Sequence, residues 1–176
     1  MIQITLPDNS VRTFEGPVNG MEIARSLSNS LAREVLSITV NGEVWDLMRP
    51  IKADSSVKLN TWDDRDGKET FWHSSAHLMA EAVESFYPGT KFGIGPTVEN
   101  GFYYDVDLPA GQVLTDKELQ KIEQKMLELA RQKNDIVRSE ISKADALKMF
   151  TEKNDELKQE LISGLEDGTI TIYNQG

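Results

Sequence analysis

Val35-Leu-Ser-Ile-Thr-Val-Asn-Gly-Glu-Val-Trp-Asp-Leu47 is the stretch on which the fold turns. Its Asn41-Gly42 pair stands between two runs with strand-forming residues. A type I′ hairpin turn needs positive φ at both central residues, and Asn-Gly meets that need. The stretch therefore reads as a hairpin. Towards the amino terminus, Ile2, Ile4 and Leu6 alternate with polar positions, as in a half-buried strand. Pro7-Asp-Asn-Ser10 supplies turn chemistry, and Val11, Thr13 and Glu15 continue a second strand. Residues 2–15 are thus a second hairpin, ended by Gly16-Pro17. Between the two hairpins, Met21, Ala24, Leu27 and Leu31 recur at helical spacing. Residues 56–62 close as a last strand. The order hairpin, helix, hairpin, strand predicts a small mixed sheet with a helix on one face.

Beyond residue 62 the rhythm changes. Asp63-Asp-Arg-Asp-Gly-Lys68 is polar and charged, and it reads as a boundary. Two domains follow, 1–62 and 63–176. Thr70 is placed to cap a helix running to residue 87, stopped by Pro88-Gly89, with Trp72, Ala76, Met79, Val83 and Phe86 as its apolar stripe. Residues 89–108 are rich in glycine and aromatics and read as strands and tight turns. Thr115-Asp-Lys-Glu118 has the pattern of a capping box and opens a helix to residue 133, with Leu119, Ile122, Met126 and Leu129 facing a core. A strand at 136–141, an N-cap at Ser142, a helix carrying Ala146, Leu147 and Phe150, and an alternating strand at 169–173 complete the chain. The fold class is α+β.

The 176 residues carry a net charge of −10, of which −1 lies in residues 1–62 and −9 in the remainder. Such a chain repels a phosphate backbone overall, so RNA contact requires a local patch or further domains. The sequence contains no cysteine, which excludes a disulfide framework, a cysteine nucleophile and a thiolate zinc site within it. No run approaches the ~20 apolar residues of a membrane span. Met1-Ile-Gln-Ile-Thr-Leu-Pro7 has neither the basic nor the apolar segment of a secretory signal.

The two histidines, His73 and His77, fall four apart on the first helix of the second domain. That spacing puts them on one face, about 6 Å apart along the axis. They flank the apolar stripe, where a helix lines a cleft. Imidazole titrates near neutrality and serves as acid, base or metal ligand. A catalytic zinc usually takes three protein ligands, so two histidines need a partner such as Glu81 or Glu84. The same pair also fits two ordinary packing histidines. Lys91-Phe-Gly-Ile-Gly-Pro-Thr-Val-Glu-Asn-Gly-Phe-Tyr-Tyr-Asp-Val-Asp107 holds three glycines, a proline and four aromatics. It fits either a backbone held close to a ligand or a hairpin core with glycine bulges. Gly93-x-Gly95 is not a dinucleotide fingerprint, and neither a Walker-type phosphate loop nor a Gly-x-Ser-x-Gly elbow occurs.

Taken together, His73-Ser-Ser-Ala-His77-Leu-Met-Ala-Glu-Ala, Gly93-Ile-Gly-Pro96 and Gly101-Phe-Tyr-Tyr-Asp105-Val-Asp107 resemble the amino-terminal region of the bacterial threonyl-tRNA synthetases. The likeness covers essentially the whole chain. It implies a ubiquitin-like β-grasp TGS domain over 1–62 and, over 63–176, an editing domain of mixed helices and antiparallel sheet, incomplete at its C-terminus. It further implies post-transfer editing, the hydrolysis of serine mischarged onto tRNA(Thr). His73 and His77 would position or polarise the attacking water and the terminal ribose hydroxyls. Tyr104 would line the pocket, Gly95 and Pro96 would form a nearby wall, and Lys158 would stabilise ester oxyanion charge. No metal and no cofactor is expected in this part. ATP, magnesium and zinc are expected in a catalytic core outside it, together with an anticodon-binding domain, the acceptor end of tRNA(Thr), a homodimer and a cytoplasmic setting. The family's Cys-x-x-x-His, which completes the editing pocket, is expected just beyond residue 176. The competing readings are a non-catalytic tRNA-binding module and a zinc-dependent deacylase of the alanyl type.

Overall fold

The computed structural model describes residues 1–175, which divide into two compact units, Met1–His73 and a second beginning at Ser74. The first unit is built on a five-stranded mixed sheet. Its strands are β1 (Ile2–Thr5), β2 (Val11–Phe14), β3 (Ser37–Val40), β4 (Glu43–Trp45) and β5 (Ser55–Asn60), in the order β2-β1-β5-β3-β4. The central pair β1–β5 is parallel, and each flanking hairpin is antiparallel. Both expected hairpins are present. Asn41 and Gly42 take φ of 50° and 90°, as the Asn-Gly turn requires. Helix α1 (Gly20–Leu27) brings Ile23 and Ala24 into the core, where Ile23 joins Ile2, Ile4, Val18, Ile38, Val40, Ile51 and Val57.

The helix expected to reach Leu31 stops at Leu27. Ser28 turns extended and its Oγ accepts from the Leu31 N–H at 3.0 Å, so Leu31 opens a separate short helix, α2 (Leu31–Glu34). Asn19 caps α1 with a reciprocal capping box. Glu22 N–H donates to Asn19 Oδ1 and Asn19 N–H donates to Glu22 Oε2, both at 2.9 Å.

Helix α3 runs Arg65–Phe86, six residues earlier than the start expected after a cap at Thr70. Thr70 lies inside it, and its hydroxyl donates to the Asp66 carbonyl at 2.8 Å. The charged stretch at 63–68 runs into the first turn of α3, where Asp66 faces the positive end of the helix dipole. Gly67 has a steric reason to be there, because a Cβ at that position would lie 2.0 Å from the Thr61 carbonyl oxygen. Lys58 Nζ meets Asp64 Oδ1 at 2.6 Å, and Asp64 Oδ2 accepts from the Thr61 N–H at 2.9 Å, tying β5 to the helix start.

In the second unit, Ala82 and Val83 of α3 form a core with Ile122 and Leu129 of α4 (Asp116–Gln132). Leu78, Met79, Tyr87, Phe92, Val106 and Met126 pack against it. Two expected core residues turn outward, as Phe86 and Leu119 are nearly half exposed. Thr115 sits at the N-cap of α4, but its hydroxyl donates to the Glu118 carboxylate and caps no backbone N–H. Four two-residue strands, β6 (Lys91–Phe92), β7 (Thr97–Val98), β8 (Gly101–Phe102) and β9 (Val106–Asp107), form one interrupted hairpin. The remaining elements are β10 (Ile136–Ser142), α5 (Lys143–Glu152), α6 (Glu156–Ser163) and β11 (Thr169–Gln175). β10 and β11 pair antiparallel over all seven residues. Ser142 Oγ accepts from the Asp145 N–H at 3.1 Å, the expected cap of α5.

Candidate functional site

The hairpin at 91–107 is a ladder with one residue too many on its first arm. Lys91 and Phe92 pair with Asp107 and Val106, and Thr97 and Val98 pair with Phe102 and Gly101. Four residues, 93–96, therefore stand against three, 103–105. Gly93 N–H donates to the Asp105 carbonyl at 2.9 Å and Tyr103 N–H to the Pro96 carbonyl at 3.1 Å, so the bulge falls between them. It is a hairpin with a glycine bulge, and the bulge brings Gly95 against an aromatic ring. A Cβ on Gly95 would lie 3.1 Å from Cδ2 and Cε2 of Tyr104. The Phe92 ring meets Tyr104 edge-on, with centroids 5.3 Å apart.

Helix α6 closes on the same hairpin. Lys158, half-buried, donates from Nζ to the Gly93 carbonyl at 3.3 Å, across 65 residues of sequence. It is not a fully solvated helix lysine. The Asp155 carboxylate caps α6 by accepting from the Lys158 N–H at 3.0 Å. Lys91 Nζ adds a longer ion pair to Glu156 at 3.7 Å. The Tyr104 phenol is pushed above its ordinary pKa, first by burial and then by the negative charge of Asp155.

The structure thus sets Gly95 against Tyr104 and Pro96 opposite Tyr103 in one hairpin, and ties Lys158 to Gly93 of that hairpin. His73 and His77 both sit on the exposed side of α3, one turn apart. One turn further, Glu81 accepts from Gln175 Nε2 at 3.4 Å, which anchors the end of β11 to that helix. Leu78 and Met79, next to His77, pack on the same core as Phe92. Among the described residues there is no group of three His, Asp or Glu side chains able to hold a metal ion. No helix among them is long and apolar enough to cross a membrane. Asp155 and Gly93 are the site residues that sequence reasoning missed. An aspartate three residues before Lys158 at the start of a helical segment was the available signal.

Chemically, these residues offer a phenol O–H and an ammonium beside a tight backbone turn. An ammonium has three N–H donors, and Gly93 takes one. Both groups suit an oxygen that gains negative charge.

Residues 2–61 match the family model described as the TGS domain. The whole chain is 60% identical to a threonine–tRNA ligase of Parabacteroides distasonis, over 176 residues that make up 27% of that protein. It is 57% identical over the same length to the threonine–tRNA ligases of Cytophaga hutchinsonii and Porphyromonas gingivalis. The chain is similar along its whole length to threonine–tRNA ligases. It corresponds to the amino-terminal region of those ligases and spans about a quarter of their length. The TGS match covers the five-stranded sheet and ends at Thr61, before α3 begins. The α+β class and the β-grasp order of the first unit agree with it. The histidine pair, Tyr104 and Lys158 all lie beyond the residues that match the TGS domain.

Proposed function

We propose that this chain is the tRNA-contacting and editing part of a threonine–tRNA ligase, and that its second domain hydrolyses serine esterified to tRNA(Thr). One physical need motivates an editing step. Serine lacks one methyl group of threonine, and a pocket gains only ~1–3 kcal/mol of discrimination from a methylene. A second, hydrolytic site supplies the remainder. The observation that carries the reading is the Lys158 ammonium held on the Gly93 carbonyl, in the same hairpin whose Gly95 lies against Tyr104. In a chain of net charge −10, a half-buried cation held on a backbone carbonyl supports a site that stabilises the negative charge an ester carbonyl acquires.

In this reading His73 and His77 hold and polarise the attacking water and take its proton. The water oxygen bonds to the ester carbonyl carbon. The resulting oxyanion receives hydrogen bonds from Lys158 Nζ and the Tyr104 hydroxyl. The bond from carbon to the ribose oxygen then breaks, and that oxygen takes the proton. Serine and free tRNA leave. Gly95 and Pro96 supply the wall that limits the size of the side chain admitted.

The ATP, magnesium and zinc chemistry of ligation, the anticodon contact, the homodimer and the cytoplasmic setting belong in this proposal to the whole ligase. Among the described residues no three His, Asp or Glu side chains compose a zinc site.

The test uses full-length ligase carrying His73→Ala. Removing a positioned acid–base group typically costs 10²–10⁴-fold. Seryl-tRNA(Thr) hydrolysis is expected to fall by roughly that factor while tRNA affinity and threonylation are retained. Unchanged hydrolysis would replace the editing reading with a purely tRNA-binding role.

A further inference from the structure

Helix α6 is short, eight residues, and its first turn does three things at once. Asp155 accepts from the Lys158 N–H at 3.0 Å. Glu156 pairs with Lys91 at 3.7 Å. Lys158 reaches the Gly93 carbonyl at 3.3 Å. Lys91 and Gly93 flank Phe92 on the first arm of the hairpin, and Phe92 is the ring that meets Tyr104. The helix start and the hairpin are therefore one mechanical unit.

Resting on the editing reading above, we propose that Asp155 is a positioning residue of the pocket: by capping α6 it fixes the register that sets the Lys158 ammonium on the Gly93 carbonyl. An uncapped first turn frays, because its N–H groups have no partner within the helix. Lys158 lies inside that turn, so fraying moves its Cα as well as its side chain. A lysine stem is flexible, and Nζ then follows solvent rather than the hairpin. The geometry gives Asp155 no need to touch the substrate. Glu156 is the weaker tie, because its side chain is 85% exposed in its pair with Lys91.

The test compares Asp155→Ala, Asp155→Ser and Lys158→Ala in full-length ligase, with threonylation as the check on folding. Serine keeps a capping oxygen and drops the charge. Asp155→Ala is expected to lower kcat for seryl-tRNA hydrolysis about tenfold at nearly constant KM. It is also expected to speed amide exchange in residues 156–160 and 91–96 together. Asp155→Ser is expected to restore both, with kcat within about threefold of the parent. The proposal is overturned if Asp155→Ala leaves kcat and exchange at 91–96 unchanged while Lys158→Ala abolishes hydrolysis. It is overturned equally if serine fails to rescue a damaged alanine variant. If the exchange pattern appears and serine corrects it, yet Lys158→Ala hydrolyses normally, Asp155 positions Lys158 as proposed and the editing role of Lys158 is what falls.

Discussion

The backbone of Gly95 runs so close to Tyr104 that a Cβ there would sit 3.1 Å from two carbons of the ring. The ring has little room to retreat, because Phe92 meets it edge-on. Gly95→Ala is therefore expected to shift Tyr104 by a few tenths of an ångström rather than unfold the hairpin. A misplacement of about 1 Å can cost 10²-fold in rate, so a smaller shift should cost about fivefold. Steady-state hydrolysis of seryl-tRNA(Thr) by the full-length ligase checks this. An alanine variant with the parent's rate would show that the Tyr104 ring position is not critical.

Gly67 presents a harsher case. The atom in the way is the Thr61 carbonyl oxygen, 2.0 Å from where the Cβ would be, and a backbone atom cannot rotate aside. Gly67→Ala must move the start of α3 away from the end of β5. Overpacking typically costs ~1–3 kcal/mol, and this contact belongs at the upper end of that range. Thermal unfolding of the 176-residue chain should show the loss. Alanine is the better helix former, so a stabilised variant would mean that α3 starts elsewhere in solution.

These two glycines also show what a sequence does and does not make legible. The Asn41-Gly42 turn was readable because the demand for positive φ is local. The alternation of Ile2, Ile4 and Leu6 was readable because a strand with one buried face has period two. Gly67 was not, since its requirement comes from Thr61, six residues back across a turn that the sequence does not draw. A glycine among charges looks like a linker until the contact is seen. Thr115 and Asn19 make the same point for caps. The Thr115-x-x-Glu118 pattern promised a box and gave a hydroxyl–carboxylate bond, while Asn19-x-x-Glu22 made the box unannounced. In the candidate site, the spacing of His73 and His77 followed from helix geometry alone. The meeting of Lys158 with Gly93 depends on chain folding across 65 residues, which no local pattern encodes.

The Lys58–Asp64 pair makes the first unit's stability depend on pH at both ends. The hydrogen bond from Lys58 holds the Asp64 carboxyl below its ordinary range, helped by the Thr61 N–H. A depressed carboxylate contributes stability above its unfolded pKa of about 4, and loses it as pH falls through the lower folded value. Lys58 is raised in turn by Asp64, so its contribution is full below its ordinary 10.5 and fades as pH climbs through the higher folded value. Denaturant unfolding of the parent and Asp64→Asn should differ near neutrality and converge in acid. Parallel curves across the whole acid range would show that the pair is not formed. The difference should be modest and salt-sensitive, because Lys58 is half exposed.

Tyr104 gives a spectroscopic handle on the hairpin that does not depend on any reaction. Burial is the larger cause of its raised pKa and the Asp155 charge the smaller. Asp155→Asn is therefore expected to lower the Tyr104 value without returning it to the ordinary 10.0, because the burial remains. Phenolate absorbance during an alkaline titration reads this, with Tyr104→Phe identifying its share among the four tyrosines. The sign for stability follows. A group whose folded pKa is raised contributes fully below its unfolded value and loses that contribution as pH rises through the folded one. The part of the chain around the hairpin should accordingly weaken in strong alkali, and Tyr104→Phe, which cannot ionise, should weaken less. If Asp155→Asn leaves the Tyr104 titration where it was, the carboxylate does not face the ring. The first turn of α6 would then not carry its charge to the hairpin.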